Sequence, residues 1–248
     1  MSDDSWEKFA QADPYWAVLT NPKYKGDIGL RERKEFFDSG EDHIKRVTAA
    51  FERHFGRKIR RTDTALDFGS GVGRLLLPMA KKCRHTIGVD VSATMRRIAR
   101  DNARNMNISN VECISDLQIE NLEKGALDWV NSYIVFQHIR TKIGYNIINK
   151  LLNKVSKNGV VSIHVTLFKD QRVANYMTNY MNYFSYDEDG VRNVFSVSDA
   201  YSENDMMMND YDATKMLMIF SRNGFRTIVT EMEDQDGMHG AIFYAIKS

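Results

Sequence analysis

Three glycines at alternate positions follow a short apolar run in this chain. Gly69, Gly71 and Gly73 come directly after the run, and Asp67 lies two positions before the first of them. Glycines in such a turn let backbone N–H groups and the start of a helix approach a ligand closely. A dinucleotide-binding turn would have its third glycine at the position of Arg74. The carboxylate of Asp67 would repel a pyrophosphate, whereas it suits an ammonium group.

A second carboxylate ends the next apolar run. Asp90 follows Thr86–Val89, about 20 residues after the first glycine, where nucleotide-binding βαβ units place a ribose-binding acid. A carboxylate there can accept hydrogen bonds from both ribose hydroxyls. Ser92 then provides an N-cap for a helix that contains Met95.

Three histidines are candidates for proton transfer, because an imidazole titrates near neutral pH. His138 follows the fourth apolar run and has apolar neighbours, so it is the first candidate for a general base. His164 is the second, near the end of a predicted strand over 160–167. His239 lies in a turn before the last predicted strand. For each of them a purely structural role stays open, such as a hydrogen bond to the backbone or exposure in a turn.

The order Asp-x-Gly-x-Gly-x-Gly resembles the first motif of the class I S-adenosylmethionine-dependent methyltransferases. The second acid, the segment after the apolar run Val111–Ile114, and the turn after Leu127–Tyr133 resemble the motifs that follow it in this family. The resemblance implies S-adenosyl-L-methionine as cofactor and S-adenosyl-L-homocysteine as product. It implies cofactor-binding roles for the motif residues, which are Asp67, Gly69, Gly71, Gly73, Arg74, Asp90, Val91, Met95, Asp116, Leu117, Ser132 and Tyr133.

Apolar runs alternate with helical stripes along the core of the chain, which predicts an α/β fold with a mainly parallel sheet. A stripe over Lys142–Val155 predicts a helix that ends at Asn158-Gly159. The family resemblance implies a doubly wound, Rossmann-like, seven-stranded sheet that closes with an antiparallel C-terminal hairpin. Ligands of such sheets bind outside the carboxyl ends of the strands, where the acids and His138 are predicted to lie.

Two segments do not follow this alternation of strands and helices. Residues 1–62 are predicted to form an N-terminal helical cover, with a helix over Glu41–Phe55 capped by Ser39 or Asp42. Residues 63–248 are predicted to form the catalytic domain. Within it, residues 169–209 are predicted to form an insertion after the fifth strand that caps the substrate. Alternatively, the first segment only packs on the face of the sheet, and the aromatic residues of the insertion form a small separate core. The predicted substrate contacts are Tyr15, Trp16, Gln137, Tyr176, Asn209, Tyr211 and His239.

Composition limits the possible partners. The 248 residues carry a net charge of +1, which gives no general attraction to nucleic acid or to anionic membranes. The two cysteines form no metal pattern, and we expect no metal. No apolar stretch is long enough to span a membrane, and the first residues are acidic rather than a basic leader, so we expect a cytoplasmic protein.

The favoured function is methyl transfer to a small molecule, with a hydroxyl oxygen of a sugar, a glycan intermediate or an aromatic metabolite as acceptor. The turn after the fourth run lacks the two prolines of methyltransferases that modify amides or exocyclic amines. An RNA methyltransferase is the first alternative, suggested by arginine clusters at Arg57–Arg61 and Arg96–Arg104. A non-catalytic S-adenosylmethionine-binding subunit is the second. Monomer and homodimer both stay open.

Overall fold

A computed structural model describes residues 3–170, 181–186, 192–197 and 208–248. The helices are α1 (Asp3–Ala12), α2 (Pro14–Val18), α3 (Leu30–Phe55), α4 (Leu76–Ala80), α5 (Ala93–Asn105), α6 (Thr141–Lys154) and α7 (Ala213–Arg222). The strands are β1 (Thr64–Phe68), β2 (His85–Val89), β3 (Val111–Ile114), β4 (Leu127–Ser132), β5 (Val155–Lys169), β6 (Met181–Tyr186), β7 (Arg192–Val197), β8 (Met208–Asn209), β9 (Phe225–Gln235) and β10 (Met238–Lys247). Short 3₁₀ turns lie at Pro22–Tyr24, Asp116–Asn121 and Phe136–His138.

Seven strands form the central sheet, in the order β3-β2-β1-β4-β5-β10-β9. Strands β1 to β5 pair in parallel, and β10 runs antiparallel to both of its neighbours. The predicted doubly wound sheet with an antiparallel C-terminal hairpin is therefore confirmed. Because the parallel strands start from one side, their carboxyl ends meet at the same edge, and the turns that follow them surround a common space.

Both faces of the sheet are covered. On one face α3 packs through Ile44, Val47 and Phe51 against Trp129 of β4 and Tyr244 of β10. On the other face α6 and α7 cover the apolar side chains of β1, β4, β5 and β10. A third apolar cluster joins α1, α2 and the first half of α3 to α5. Within the described ranges, no helix combines the length and the apolar character that a membrane span requires.

Helix α3 begins earlier than the sequence predicts. It starts at Leu30 behind Gly29, so neither Ser39 nor Asp42 caps it. Ser39 lies inside the helix, and its hydroxyl donates to the carbonyl of Phe36. The polar residues and the glycine near position 40 are typical of a helix start, which is why the prediction was wrong.

The segment after α6 also differs from the prediction. The helix ends at Lys154, and β5 starts at once, so Asn158-Gly159 does not terminate the helix. Asn158 adopts a left-handed conformation with φ 61°. The register with β4 shifts between the pairs Leu127–Val155 and Trp129–Val160, which makes the Asn-Gly pair a bulge within the strand.

The predicted insertion contains strands that its sequence did not reveal. β6, β7 and β8 form a separate antiparallel sheet of three strands. Tyr176, a predicted substrate contact, lies outside the described residues. The last strand of this small sheet returns the chain to the main domain, where Asn209 donates from Nδ2 to the carbonyl of Gln137 at 2.9 Å.

Gly40 has a packing role that gives a first prediction. A Cβ at this position would lie 2.0 Å from the carbonyl oxygen of Arg74. Alanine normally stabilises a helix interior by about 1 kcal/mol relative to glycine, but here it would push α3 away from the glycine-rich turn. We expect Gly40→Ala to lower the free energy of unfolding by about 1–3 kcal/mol in urea denaturation. A more stable variant would contradict this packing.

Candidate active site

The glycine-rich turn sits at the carboxyl end of β1 with its backbone in the left-handed region. Gly69 and Gly71 have φ values of 74° and 52°. A Cβ at Gly69 would lie 2.3 Å from Val135, and one at Gly71 would lie 2.5 Å from Val18. Glycine is thus needed for the backbone conformation and for close approach of the neighbouring segments.

A cavity of about 330 Å³ opens beside this turn, at the carboxyl edge of the parallel strands. Its charged and polar wall includes Asp67, Arg74, Asp90, Asp116 and His138, which come from four different turns of the sheet. The apolar part of the wall consists of Trp6, Ala17, Val18, Phe68, Leu75, Val89, Val91, Met95, Ile134, Val135, Ile139, Ile143, Ile147, Met208 and Met238. The structure thus brings together the acids and the first candidate base that the sequence analysis selected.

Asp90 is held by backbone donors. Its Oδ2 accepts from the N–H of Gly71 at 2.8 Å, and its Oδ1 accepts from the N–H of Ser92 at 2.9 Å. Desolvation raises the pKa of this carboxyl to about 6, although both hydrogen bonds oppose the shift. The carboxylate therefore connects the glycine-rich turn to the start of α5, where the Ser92 hydroxyl accepts from the N–H of Met95.

Asp67 and Arg74 share the inner wall of the cavity. Asp67 is 2% exposed, and its Oδ1 accepts from Nδ2 of Asn131 at 2.8 Å. Burial raises the pKa of Asp67 to about 7, while Asn131 and the charge of Arg74 act in the opposite direction. Burial lowers the pKa of Arg74. The buried Nε of Arg74 has no hydrogen-bond partner among the described residues.

The N-terminal helix contributes two adjacent residues that sequence reasoning missed. Trp6 lines the cavity, and its ring meets His138 edge-on, with 5.2 Å between the centroids. Glu7 accepts from the Ser92 hydroxyl at 2.7 Å and from both the N–H and the hydroxyl of Thr94. These hydrogen bonds lower the pKa of Glu7 to about 2. Only the density of aromatic residues near the start of the sequence pointed to this region.

His138 is oriented by its sequence neighbour. The Nε2 atoms of Gln137 and His138 lie 3.3 Å apart, and Oε1 of Gln137 accepts from the hydroxyl of Thr166 at 2.9 Å. Gln137 and His138 are both buried and line the cavity. An imidazole at the wall of a cavity is well placed to exchange a proton with a bound molecule.

His164 lies deeper, outside the cavity wall. Neither of its ring nitrogens has a hydrogen-bond partner among the described residues, and burial lowers its pKa to about 4. Its ring meets Tyr133 edge-on at 5.1 Å, and the Tyr133 hydroxyl donates to Glu233 at 2.9 Å. Tyr133 does line the cavity. The phenol therefore lies between the second candidate base and the cavity.

Several predicted site residues lie elsewhere. Leu117 is 80% exposed and outside the cavity wall. The Ser132 hydroxyl donates to the carbonyl of Phe68 and so ties β4 to β1. Gly73, with φ 96°, faces Leu77 and Ala99 rather than the cavity.

The predicted substrate contacts are also spread apart. The Tyr15 hydroxyl donates to Asn102, and Trp16 packs on Phe9. The Tyr211 hydroxyl donates to the carbonyl of Ile139. His239 pairs with Asp170 at 2.8 Å and stacks on Phe168. Of the described members of this group, only Gln137 lines the cavity.

The family model for a methyltransferase domain matches residues 65–159, the range that carries the glycine-rich turn, the acids and His138. Together with the solved structures described next, this match supports a class I S-adenosylmethionine-dependent methyltransferase domain with S-adenosylmethionine as cofactor.

Solved structures of other methyltransferases share this fold. The magnesium protoporphyrin IX methyltransferase of Synechocystis PCC 6803, crystallised with S-adenosylhomocysteine, is 17% identical with a TM-score of 0.65, over 99% of this chain and 98% of that one. The phosphoethanolamine N-methyltransferase 2 of Haemonchus contortus is 14% identical with a TM-score of 0.62, over 100% of this chain and 60% of that one. At such identities the likeness shows the fold alone.

Among curated proteins, this chain is similar to the 23S rRNA (uracil(1939)-C(5))-methyltransferase RlmD of Marinomonas sp. strain MWYL1. The alignment of 126 residues is 29% identical and covers 45% of this chain. The match spans only 28% of the length of that relative.

The Glu7 contact predicts a pH-dependent contribution to stability. Because the pKa of Glu7 is lower in the folded state, its carboxylate stabilises the protein above the ordinary pKa near 4.5, and this contribution is lost as the pH falls towards 2. We expect Glu7→Gln to lower the free energy of unfolding by about 1–2 kcal/mol at pH 7, and by roughly half as much at pH 3.

Urea denaturation at both pH values measures this difference. Glu123→Gln, which changes an exposed carboxylate away from α5, is the matched control and should change stability little at either pH. An equal loss for Glu7→Gln at pH 7 and pH 3 would show that the contact with α5 does not depend on charge.

Proposed function

We propose that this methyltransferase transfers a methyl group to a hydroxyl oxygen of a small molecule, with His138 as general base. The observation that carries the proposal is the position of His138. Its imidazole lies in the wall of the cavity that also contains the acids and the glycine-rich turn. The role of each residue in the site is part of this proposal.

The cavity wall fits the cofactor. Asp67 would hold its ammonium group, the guanidinium of Arg74 its carboxylate, and Asp90 its ribose hydroxyls. The left-handed backbone at Gly69 and Gly71, which both line the cavity, supports this, because a turn without side chains lets a ligand approach the backbone. Met95 and Val91 would contact the adenosine from the start of α5. When bound, S-adenosylmethionine supplies an electrophilic methyl carbon.

The residues of the chain then have two tasks. The apolar wall excludes water and holds the acceptor oxygen in line with the methyl group. His138 would take the proton from the acceptor hydroxyl as the oxygen–carbon bond forms and the sulfur–carbon bond breaks, with S-adenosylhomocysteine as the leaving group. Gln137 and Trp6 hold the imidazole in place, through a polar contact on one side and a ring contact on the other. His164 is the weaker candidate for the base, because Tyr133 lies between it and the cavity.

The apolar character of the wall supports a small acceptor with an apolar or aromatic body. In this proposal, residues 1–62 act as a cover and 169–209 as a substrate cap. Val18 and Thr20 from the first segment and Met208 from the second line the cavity, which supports both roles.

The arginine clusters give little support to an RNA acceptor. Arg57 pairs with Asp63 at 2.9 Å, and Arg61 donates to the carbonyl of Lys81 at 2.6 Å. On α5, Arg96 donates to the carbonyl of Asp90, and Arg104 pairs with Asp101. Because these side chains already bind their own chain, fewer cations are left for phosphates. The similarity to the rRNA enzyme keeps RNA as the alternative acceptor, and a gel shift with bulk tRNA that weakens with salt would favour it.

Cofactor binding provides the first test of the proposal. Calorimetry with S-adenosylhomocysteine should show micromolar binding, and Asp90→Ala should weaken it by roughly 100-fold or more, because two ribose hydroxyls lose their acceptor. Asp101→Ala removes an acid from the outer face of α5 and should bind like wild type. Absence of binding to the wild-type protein would discard the cofactor site.

The role of His138 is tested once an acceptor is known. Incubation with S-adenosylmethionine and a metabolite extract, followed by mass spectrometry, should reveal a compound that gains one methylene. With that acceptor, His138→Ala should lower kcat by about 100-fold or more, while calorimetry shows unchanged cofactor binding. His85→Ala, on the far end of β2, is the control. Wild-type turnover in His138→Ala would assign the base elsewhere, and His164→Ala would then be the next variant.

A further inference from the structure

A chain of buried hydrogen bonds runs across three strands beneath the cavity. Nε1 of Trp129 donates to Oγ of Ser162 at 3.0 Å, and Ser162 donates to Oδ1 of Asn131 at 2.7 Å. Asn131 then donates from Nδ2 to Oδ1 of Asp67 at 2.8 Å. All four residues are buried, at 2% exposure or less. We call this set the Trp129–Asp67 chain.

The direction of this chain follows from its first two members. An indole N–H can only donate, so Ser162 accepts from Trp129, and Oδ1 of Asn131 is the acceptor for the hydroxyl proton of Ser162. The amide of Asn131 thus presents oxygen to Ser162 and N–H to Asp67. Reversal of the amide would leave the buried hydroxyl proton of Ser162 without this acceptor, at a cost of about 1–3 kcal/mol.

This direction decides which state of Asp67 the protein favours. A donated N–H stabilises the carboxylate, whereas an amide oxygen in its place would stabilise the protonated acid. Of the charged groups that face Asp67, Arg74 favours the carboxylate and Asp90 opposes it. Burial is the strongest influence and raises the pKa of Asp67 to about 7.

We propose that Asn131, Ser162 and Trp129 are positioning residues that keep Asp67 ready to ionise, so that binding of the cofactor's ammonium group expels a proton from Asp67. The proposal rests on the proposed cofactor site. An ammonium beside Asp67 favours the carboxylate, which lowers the pKa of the bound form relative to the free form. Affinity should therefore rise with pH until the free carboxyl is fully ionised, and then level off.

Calorimetry with S-adenosylhomocysteine tests this without any acceptor. Titrations between pH 5.5 and 7.5, in pairs of buffers with different ionisation enthalpies, report the number of protons released on binding. We expect the wild-type protein to release most of one proton near pH 6 and progressively less as the pH rises.

Ser162→Ala should change this linkage. Without the hydroxyl, Asn131 is free to turn its oxygen to a protonated Asp67, which holds the proton more firmly. We expect affinity at pH 6 to fall by about tenfold, which corresponds to one pKa unit, with a smaller loss at pH 7.5 and proton release that persists to higher pH. Ser162→Thr keeps the hydroxyl and should restore the wild-type profile.

Two further variants separate this effect from loss of structure. Trp129→Phe removes the indole N–H but keeps the Ser162 hydroxyl as a donor to Asn131, so it should change the profile less than Ser162→Ala does. Thr86→Val removes a buried hydroxyl on β2 that has no hydrogen-bond partner among the described residues, so it should bind like wild type at every pH. Thermal unfolding establishes that each variant is folded.

The outcomes are distinct. Tight binding without proton release in the wild-type protein, or an unchanged profile in Ser162→Ala, would overturn the inference and leave the cofactor site intact. No binding at all would remove the cofactor site and the inference together.

Discussion

Close contact between the glycine-rich turn and the segments around it is the constraint on which the site depends. Val135 lies against Gly69, Val18 against Gly71, and the carbonyl of Arg74 against Gly40. A single added carbon at any of these places would meet another atom at 2.5 Å or less. The turn after β4, the helix α2 and the helix α3 can therefore converge on one point, and the cavity lies in the space that they leave. The missing side chains also leave the backbone N–H of Gly71 accessible to the carboxylate of Asp90.

The electrostatics of the site follow from the buried position at which these segments meet. Asp67 and Asp90 lie in surroundings that raise the pKa of each, and protein donors hold both in position. Such carboxylates are poorly solvated, so they attract a cation or a hydroxyl donor more strongly than an exposed acid does. The donors are themselves fixed, by the buried amide of Asn131 in one case and by backbone N–H groups in the other. Recognition in this site thus depends on groups that are oriented before a ligand arrives.

The sequence predicted the sheet and the placement of its acids, because strand periodicity, glycine spacing and the order of parallel strands are local or topological properties. It could not predict the start of α3, where Gly40 and the polar residues around it resemble a boundary but serve a contact with Arg74. The bulge at Asn158 was read as a helix end for a similar reason, since both structures use a left-handed residue. Trp6, Glu7 and Asn131 were missed because their roles arise from contacts between segments that are far apart in sequence. Leu117 was selected from the motif alone, and it is exposed and does not line the cavity.

Helix α1 contacts two separate parts of the site through two neighbouring residues. Trp6 touches the imidazole of the proposed base, while Glu7 holds the loop that follows Asp90. Any thermal fluctuation that lifts this helix will disturb both ends at once, so their opening motions are correlated rather than independent. Relaxation measurements on the two regions would be expected to report one shared exchange process.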